Sequence, residues 1–331
     1  MPPFSANKVK HLEKLSNSKG IIAAAAMDQR GSLKKGIAKE KGCDPSLVTD
    51  LMMEEFKTAV TKILTPHATA ILLDPEWGLP ASRVRSSNAG LLLAYESTGY
   101  EQNTPGRVPK LIPHWTVSKS IAEGANAIKI LLYYSPYENK KVNDIKHAWV
   151  ERIGAECAYH DIPYFLEFVS YPTQEGEEEN SVSFAQKKPD IVARSMEEFS
   201  KERYNVDVLK VEIPVNMKFV EGSKSYKGEK AYGLAEAKKH YQVTAGATSK
   251  PFIYLSAGVS DDVFRESLEL AAEAGVKYNG VLCGRATWKD GIPIYAKSGI
   301  KALESWLSDR GVQNIQALNK VLEAGATSWK K

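Results

Sequence analysis

The sequence predicts an α/β fold, and within that class a single-domain (β/α)8 TIM barrel that spans residues 1–331. Apolar runs of strand length recur about eight times, and most are apolar at every position, which is typical of parallel strands buried on both faces. Segments with helical periodicity separate them, and this regular alternation favours a closed barrel. The runs are residues 21–27, 69–73, 90–94, 127–133, 162–169, 206–213, 251–255 and 279–283.

The segments between the strands predict helices, and some of their ends can be recognised. Asp261 suits an N-cap, Asp262 adds negative charge to the first turn, and Gly275 closes the same helix. The alternative fold, an open doubly wound sheet, is disfavoured because no Gly-x-Gly-x-x-Gly follows the first strand. The predicted helices cover residues 45–64, 116–124, 144–160, 183–201, 234–241, 261–275 and 299–309.

Composition excludes several classes of protein. The net charge of +4 is small for 331 residues, so neither nucleic acid nor a membrane is an expected partner, although it suits a small anionic substrate. The three cysteines are far apart and form no Cys-x-x-Cys pair, so neither a disulfide framework nor a zinc site is predicted. Without an apolar leader in residues 1–15, we expect a cytoplasmic location.

Polar residues stand near the C-terminal ends of the apolar runs. In a barrel these ends surround one active site, so residues distant in sequence meet there. Any single one could be a cap or part of a salt bridge that closes the barrel top. Together they favour a functional site, since lysines and carboxylates are costly to bury without a partner. They are Asp28, Asp74, Lys129, Glu167, Lys210 with Glu212, Ser256 and Arg285.

Lys210 is the candidate nucleophile. Burial in an apolar strand disfavours the charged form of an amine, and a neutral lysine adds to ketones. Glu212 lies two residues later and therefore shares its face of the strand. Lys129, in a second apolar run, would repel Lys210 and favour a neutral amine at one of the two. We assign the nucleophile to Lys210 and a cationic supporting role to Lys129.

Two carboxylates are candidates for acid–base chemistry. Apolar neighbours surround Glu167 in sequence, which suits a general acid or base. Asp28 is the second candidate, with Gln29 and Arg30 beside it to orient a substrate. The alternative interpretation of Asp28 is an N-cap of the following segment.

The last two strands carry the features of a phosphate site. Barrels often bind phosphate after strands seven and eight, through backbone N–H groups. Here the strand ends are followed by Ser256 with Gly258 and by Gly284 with Arg285, and the arginine adds a charged donor. The polar stretches 173–180 and 221–230 predict long loops on the same face of the barrel.

A metal mechanism is not predicted. None of the six histidines stands at a strand end, and none forms a His-x-x-His or His-Glu-x-x-His motif. Asp28, Asp74 and Glu167 could gather around magnesium, but two lysines nearby argue against a cation there. We therefore expect no metal and no other cofactor.

Six motifs, in order along nearly the whole chain, resemble the class I tagatose-1,6-bisphosphate aldolases of the bacterial tagatose-6-phosphate pathway of lactose and galactose metabolism. The resemblance implies a barrel with a Schiff-base lysine at Lys210, a second lysine at Lys129 and an acid–base glutamate at Glu167. It also implies an Asp28–Gln29 pair and phosphate contacts at Ser256, Gly258, Gly284 and Arg285. The motifs are DQRG at 28–31, LLDPE at 72–76, AIKILLYY at 127–134, DVLKVEIPVN at 207–216, YLSAGV at 254–259 and LCGRATW at 282–288.

The implied activity is retro-aldol cleavage of D-tagatose 1,6-bisphosphate, and of other ketohexose 1,6-bisphosphates, to glycerone phosphate and D-glyceraldehyde 3-phosphate. We also expect no cofactor and a homo-oligomer. The loops at 173–180 and 221–230 differ from the family pattern, so the choice of ketose is less defined than the chemistry. One alternative is a sulfofructose-phosphate aldolase of the same mechanism. The other is a sugar-phosphate-sensing regulator on the aldolase scaffold.

Overall fold

The computed structural model describes residues 4–97 and 105–330, which form a closed barrel of eight parallel strands. Each strand pairs with the next one along the chain, and the eighth pairs with the first. The predicted fold class is confirmed, and each predicted apolar run contains one strand. The strands are β1 (Ile22–Ala26), β2 (Ala70–Leu73), β3 (Gly90–Ala94), β4 (Ala127–Tyr133), β5 (Tyr164–Val169), β6 (Val208–Glu212), β7 (Phe252–Leu255) and β8 (Gly280–Cys283).

Alternation along the strands separates a barrel interior from a layer beneath the helices. Ala127, Phe165 and Val208 belong to the interior cluster, which Leu12 and Trp329 close at the N-terminal end of the barrel. Residues two positions further along β4, β5 and β6 point the same way. Lys129, Glu167 and Lys210 therefore project into the barrel at its C-terminal end.

The helices pack around this barrel. Within the described residues, every predicted helix overlaps an observed one, and five observed helices were not predicted, at residues 6–14, 31–41, 79–82, 285–288 and 312–325. The helices are α1 (Ala6–Lys14), α2 (Gly31–Lys41), α3 (Asp50–Leu64), α4 (Leu79–Ser82), α5 (Val117–Ala122), α6 (Lys140–Tyr159), α7 (Val182–Phe199), α8 (Leu234–Gly246), α9 (Asp261–Glu273), α10 (Arg285–Trp288), α11 (Gly291–Trp306) and α12 (Val312–Gly325).

The start of α9 corrects one expectation. Ser260, with extended backbone angles, precedes the helix, so Asp261 is its first residue and not the cap. The Asp261 carboxylate instead accepts from the Arg265 side chain at 2.7 Å, one turn later. Gly275 does follow the end of the helix with a φ of +73°, as predicted.

Two further features complete the fold. Val220–Glu221 pairs with Tyr232–Gly233 and closes the base of the loop at 221–230. Within the described residues, no helix is long and apolar enough to cross a membrane.

The seam between β1 and β8 tests the barrel packing. A Cβ atom on Gly280 would lie 1.9 Å from the backbone oxygen of Ile22, and the φ of Gly280 is +134°. We expect Gly280→Ala to lower the free energy of unfolding by about 2–4 kcal/mol, because backbone must move at the barrel closure. Urea titration measures this change.

Gly246→Ala is the matched control. Gly246 lies in the last turn of α8, and an added Cβ would meet nothing within 4 Å. This variant should change stability by no more than about 1 kcal/mol. Equal stability of the two variants would contradict the steric account of the seam.

Candidate active site

A cleft of about 1100 Å³ opens at the C-terminal ends of the strands. Of the predicted residues, those assigned a catalytic or substrate-binding role all lie on its wall, and their chemical roles stay predictions at this point. Glu179 and Asn180, and Lys224 with Lys227, extend the wall outward, so both predicted loops reach the cleft. The predicted residues are Asp28, Gln29, Arg30, Lys129, Glu167, Lys210, Ser256, Gly258, Gly284 and Arg285.

One carboxylate oxygen joins the two lysines. Glu167 Oε2 lies 2.9 Å from Lys210 Nζ and 2.8 Å from Lys129 Nζ. The strand register explains this, because Glu167 on β5 is directly beside Lys210 on β6. Both lysines are buried, with 4% and 1% of their side chains exposed. The predicted repulsion between two ammonium groups is therefore offset by a carboxylate between them.

Lys129 is surrounded by negative charge. Its Nζ lies 2.7 Å from Asp28, 2.8 Å from Glu167 and 3.1 Å from a third carboxylate, Glu96. Burial alone would lower the pKa of Lys129, but these carboxylates raise it well above the usual lysine value. Lys129 is thus a cation at neutral pH, and its supporting role in catalysis stays a prediction.

Asp28 is held as a carboxylate. Burial would raise its pKa, but Lys129, Lys210 and Arg30 hold that pKa well below the usual range. The N-cap interpretation is wrong, because Arg30 occupies the cap position of α2 and the Asp28 side chain bonds to Lys129.

Glu96 is a site residue that the sequence analysis missed. It lies two residues beyond β3 and is buried on the cleft wall, between Lys129 and Arg30. Burial raises its pKa, and Lys129 and Arg30 only partly offset this. Glu96 lies two residues beyond the predicted run 90–94, so its position near the end of a strand was the signal that could have identified it.

The two cleft arginines differ in how they are bound. Arg30 Nη1 contacts Glu76 at 2.7 Å, and Arg30 Nη2 donates to the backbone oxygen of Glu96 at 2.7 Å. Arg285, in contrast, forms no ion pair with any described residue. Gly258 faces it, and an added Cβ there would lie 2.8 Å from Arg285 Cζ. The guanidinium of Arg285 therefore stays available for an anion, next to a turn that requires glycine.

Asp74 lies outside the cleft, which corrects its place among the strand-end candidates. Its carboxylate contacts Lys57 Nζ at 2.6 Å, and both side chains are fully buried. Lys57 also donates to the backbone oxygens of Met27 and Gln29, on either side of Asp28. Asp74 cannot join Asp28 and Glu167 around a cation, because Lys57 holds it behind the β1–α2 loop.

Glu212 also has its own partners. Its carboxylate contacts Lys188 Nζ at 2.9 Å and accepts from the backbone N–H of Ser170 at 2.7 Å. Glu212 therefore shares the cleft with Lys210, but its charge is balanced by Lys188. In residues 4–97 and 105–330, no three His, Cys, Asp or Glu side chains are arranged to hold a metal ion.

Comparison with known proteins places this geometry in a family. The sequence model described as DeoC/LacD family aldolase matches residues 22–290, from the first barrel strand to the helices beyond the last. The chain belongs to the DeoC/LacD aldolase family. The predicted enzyme class, an aldolase, is thereby confirmed.

Two curated relatives extend the match to nearly the full length. The chain is 50% identical over 329 residues to tagatose 1,6-diphosphate aldolase 2 of Enterococcus faecalis, covering 99% of this chain and 97% of that protein. It is 48% identical over 327 residues to tagatose 1,6-diphosphate aldolase of Staphylococcus aureus, covering 99% and 98%.

Solved structures show the same fold at low identity. A fructose-bisphosphate aldolase of Plasmodium falciparum superposes with a TM-score of 0.69 at 12% identity, covering 98% of this chain and 97% of that one. A Schiff-base-forming fructose-1,6-bisphosphate aldolase gives a TM-score of 0.55 at 14% identity, covering 95% and 99%. These likenesses carry the fold alone.

The Lys57–Asp74 pair offers a test of how the loop with Asp28 is held. Lys57→Met should lower the free energy of unfolding by about 3–5 kcal/mol, because it leaves a fully buried carboxylate unpaired. Thermal and urea unfolding measure the loss.

Lys62→Met is the control on the same helix. The Lys62 side chain is 64% exposed and lies 3.8 Å from Glu304, so its removal should cost less than about 1 kcal/mol. Similar losses for Lys57→Met and Lys62→Met would show that the buried pair does not hold the loop.

Proposed function

We propose that this aldolase cleaves D-tagatose 1,6-bisphosphate to glycerone phosphate and D-glyceraldehyde 3-phosphate through a Schiff base on Lys210. The observation that carries the mechanism is the Glu167 oxygen shared by Lys210 and Lys129, at 2.9 and 2.8 Å. The names of the two curated relatives support the substrate.

The first step forms the iminium ion. Glu167 takes a proton from Lys210 Nζ, and the neutral amine attacks C2 of the ketose. The same carboxyl then returns a proton to the departing hydroxyl, so that the carbinolamine loses water. One residue can act in both directions because its Oε2 already lies within hydrogen-bond distance of the nucleophile.

Carbon–carbon cleavage follows. The electron pair of the C3–C4 bond moves into the iminium and gives an enamine. The C4 hydroxyl loses its proton to a carboxylate, either Glu167 or Asp28, and the aldehyde leaves. Lys129 stays charged throughout and stabilises negative charge on the substrate oxygens. Protonation of C3 and hydrolysis of the iminium then release glycerone phosphate and regenerate Lys210.

The phosphate groups need donors at both ends of the substrate. We assign one to Arg285, Ser256 and the backbone around Gly258 and Gly284, because the guanidinium of Arg285 has no ion-pair partner among the described residues. Gln29 and Arg30 serve the other end. Because Glu76 and Glu96 bind both Nη atoms of Arg30, its part there is electrostatic orientation of the loop more than direct contact.

Two alternatives stay open to experiment. A sulfofructose-phosphate aldolase would use the same lysine and glutamate, since a sulfonate takes similar donors. A purely sensing role is disfavoured by the complete set of Lys210, Glu167 and Lys129.

A homo-oligomer is part of the proposal, supported by the exposed Leu47 and Leu51, which are 64% and 63% accessible. The cytoplasmic location stays a prediction from the sequence.

Borohydride reduction in the presence of glycerone phosphate tests the nucleophile. We expect a covalent adduct on Lys210, mapped by mass spectrometry after digestion. Lys210→Met should abolish the adduct and lower kcat at least about a thousandfold, because the other amine beside Glu167, on Lys129, is held as a cation by three carboxylates and is no nucleophile.

Lys129→Met is the matched variant. It should still form the adduct on Lys210, although more slowly. An adduct on Lys129 in the unmodified protein, or none at all, would sink the assignment.

Substrate comparison tests specificity. Cleavage of tagatose, fructose and sulfofructose phosphates should be measured with and without EDTA. We expect tagatose 1,6-bisphosphate to be cleaved with full activity in EDTA, because the iminium is the electron sink. A marked preference for the sulfonate, or loss of activity on chelation, would overturn the substrate or the mechanism respectively.

A further inference from the structure

Glu96 is fixed in position from three sides. Its backbone oxygen accepts from Arg30 Nη2 at 2.7 Å, and the next residue, Ser97, donates from its N–H to the backbone oxygen of Lys110 at 2.8 Å. That bond belongs to an antiparallel bridge between Glu96 and Leu111, whose other bond runs from the N–H of Ile112 to the backbone oxygen of Tyr95 at 3.2 Å. The side chain enters the cleft with 3% of its surface exposed. The fold therefore fixes the backbone from which the carboxylate enters the cleft.

The Glu96 carboxylate completes the surroundings of Lys129. An ammonium has three N–H donors, and Lys129 has three carboxylates within 3.1 Å. Glu96 and Glu167 come from the strands on either side of β4, whereas Asp28 follows β1, which is not adjacent. Three anchors from three directions fix the Nζ atom in space.

The arrangement is costly for stability. Glu96 Oε2 is buried and accepts no hydrogen bond from the described residues. A buried carboxylate that is only half satisfied destabilises a fold, and burial accordingly raises the pKa of Glu96. A carboxyl group placed there at a cost to stability therefore points to a task in the cleft.

We propose that Glu96 is a positioning residue that holds the Lys129 ammonium between Asp28 and Glu167, so that Glu167 Oε2 stays directed at Lys210. This inference rests on the proposed function of Lys210 and Glu167. If the side chain at position 96 is neutral, the Lys129 ammonium keeps only the contacts with Asp28 and Glu167, and it can shift towards either of them. Glu167 then loses its fixed second contact, whereas Arg285 and Gly258 are untouched.

A double-mutant cycle tests the proposal. Glu96→Gln should lower kcat about tenfold and change KM less than about twofold, because substrate-binding groups are retained. In the Lys129→Met background, the same substitution should change kcat less than about twofold, since its effect passes through the missing lysine. If kcat is too low there, the rate of borohydride-trapped adduct formation with glycerone phosphate replaces it in all four proteins.

Asp207→Asn provides the matched control. Asp207 is a buried carboxylate at the opposite end of β6, where it contacts Lys8 Nζ at 2.7 Å and accepts from the N–H of Tyr164 at 2.8 Å. We expect it to lower the thermal midpoint and leave kcat unchanged. Glu96→Gln should instead lower kcat without lowering the thermal midpoint.

The outcomes separate this inference from the function on which it rests. No adduct on Lys210 in the unmodified protein overturns the proposed function itself. If the adduct forms normally and Glu96→Gln lowers kcat equally in both backgrounds, the role through Lys129 is overturned. Glu96 then acts through Arg30 or contributes only to folding. An unchanged kcat in Glu96→Gln overturns it as well.

Discussion

The site depends on one constraint: two buried ammonium groups can share a barrel only if carboxylates lie between and around them. Glu167 Oε2 lies within 2.9 Å of both, and Asp28 and Glu96 complete the charge balance around Lys129. Removing a charge from water costs free energy, so each of these buried groups depends on its oppositely charged neighbours to offset that cost. The same compensation makes one lysine a permanent cation and leaves the other next to a proton acceptor.

Strand alternation turns this constraint into geometry. Interior positions of β4, β5 and β6 carry Ala127, Phe165 and Val208 low in the barrel and charged residues two positions higher. Neighbouring strands in parallel register then set Glu167 beside Lys210. The apolar interior beneath excludes water, which strengthens every charge interaction above it. The arrangement of these three charged side chains is thus a consequence of barrel packing, with charges added at the last layer of the interior.

The fold could be predicted because buried parallel strands leave an unbroken apolar signal. Helices were harder: α2 buries only Leu33, Ile37 and Ala38, too few for a clear period. Candidate site residues followed from their position near the C-terminal ends of the apolar runs, which singled out Lys129, Glu167 and Lys210. The same rule suggested Asp74, yet β2 ends at Leu73 and the next residue turns outward to Lys57. No sequence pattern encodes that turn, since it depends on where a lysine on α3 happens to pack.

The contrast between Arg30 and Arg285 shows how the same residue type takes opposite roles in one cleft. Arg30 forms ion pairs with Glu76 and Glu96, and these contacts fix the loop that carries Asp28. Arg285 faces the turn at Ala257 and Gly258, both in the left-handed region, and no carboxylate of the described residues forms an ion pair with it. A dianionic phosphate gains most from a cation that is not already paired. Of the two arginines, Arg285 is therefore the one that we expect to bind a phosphate group directly.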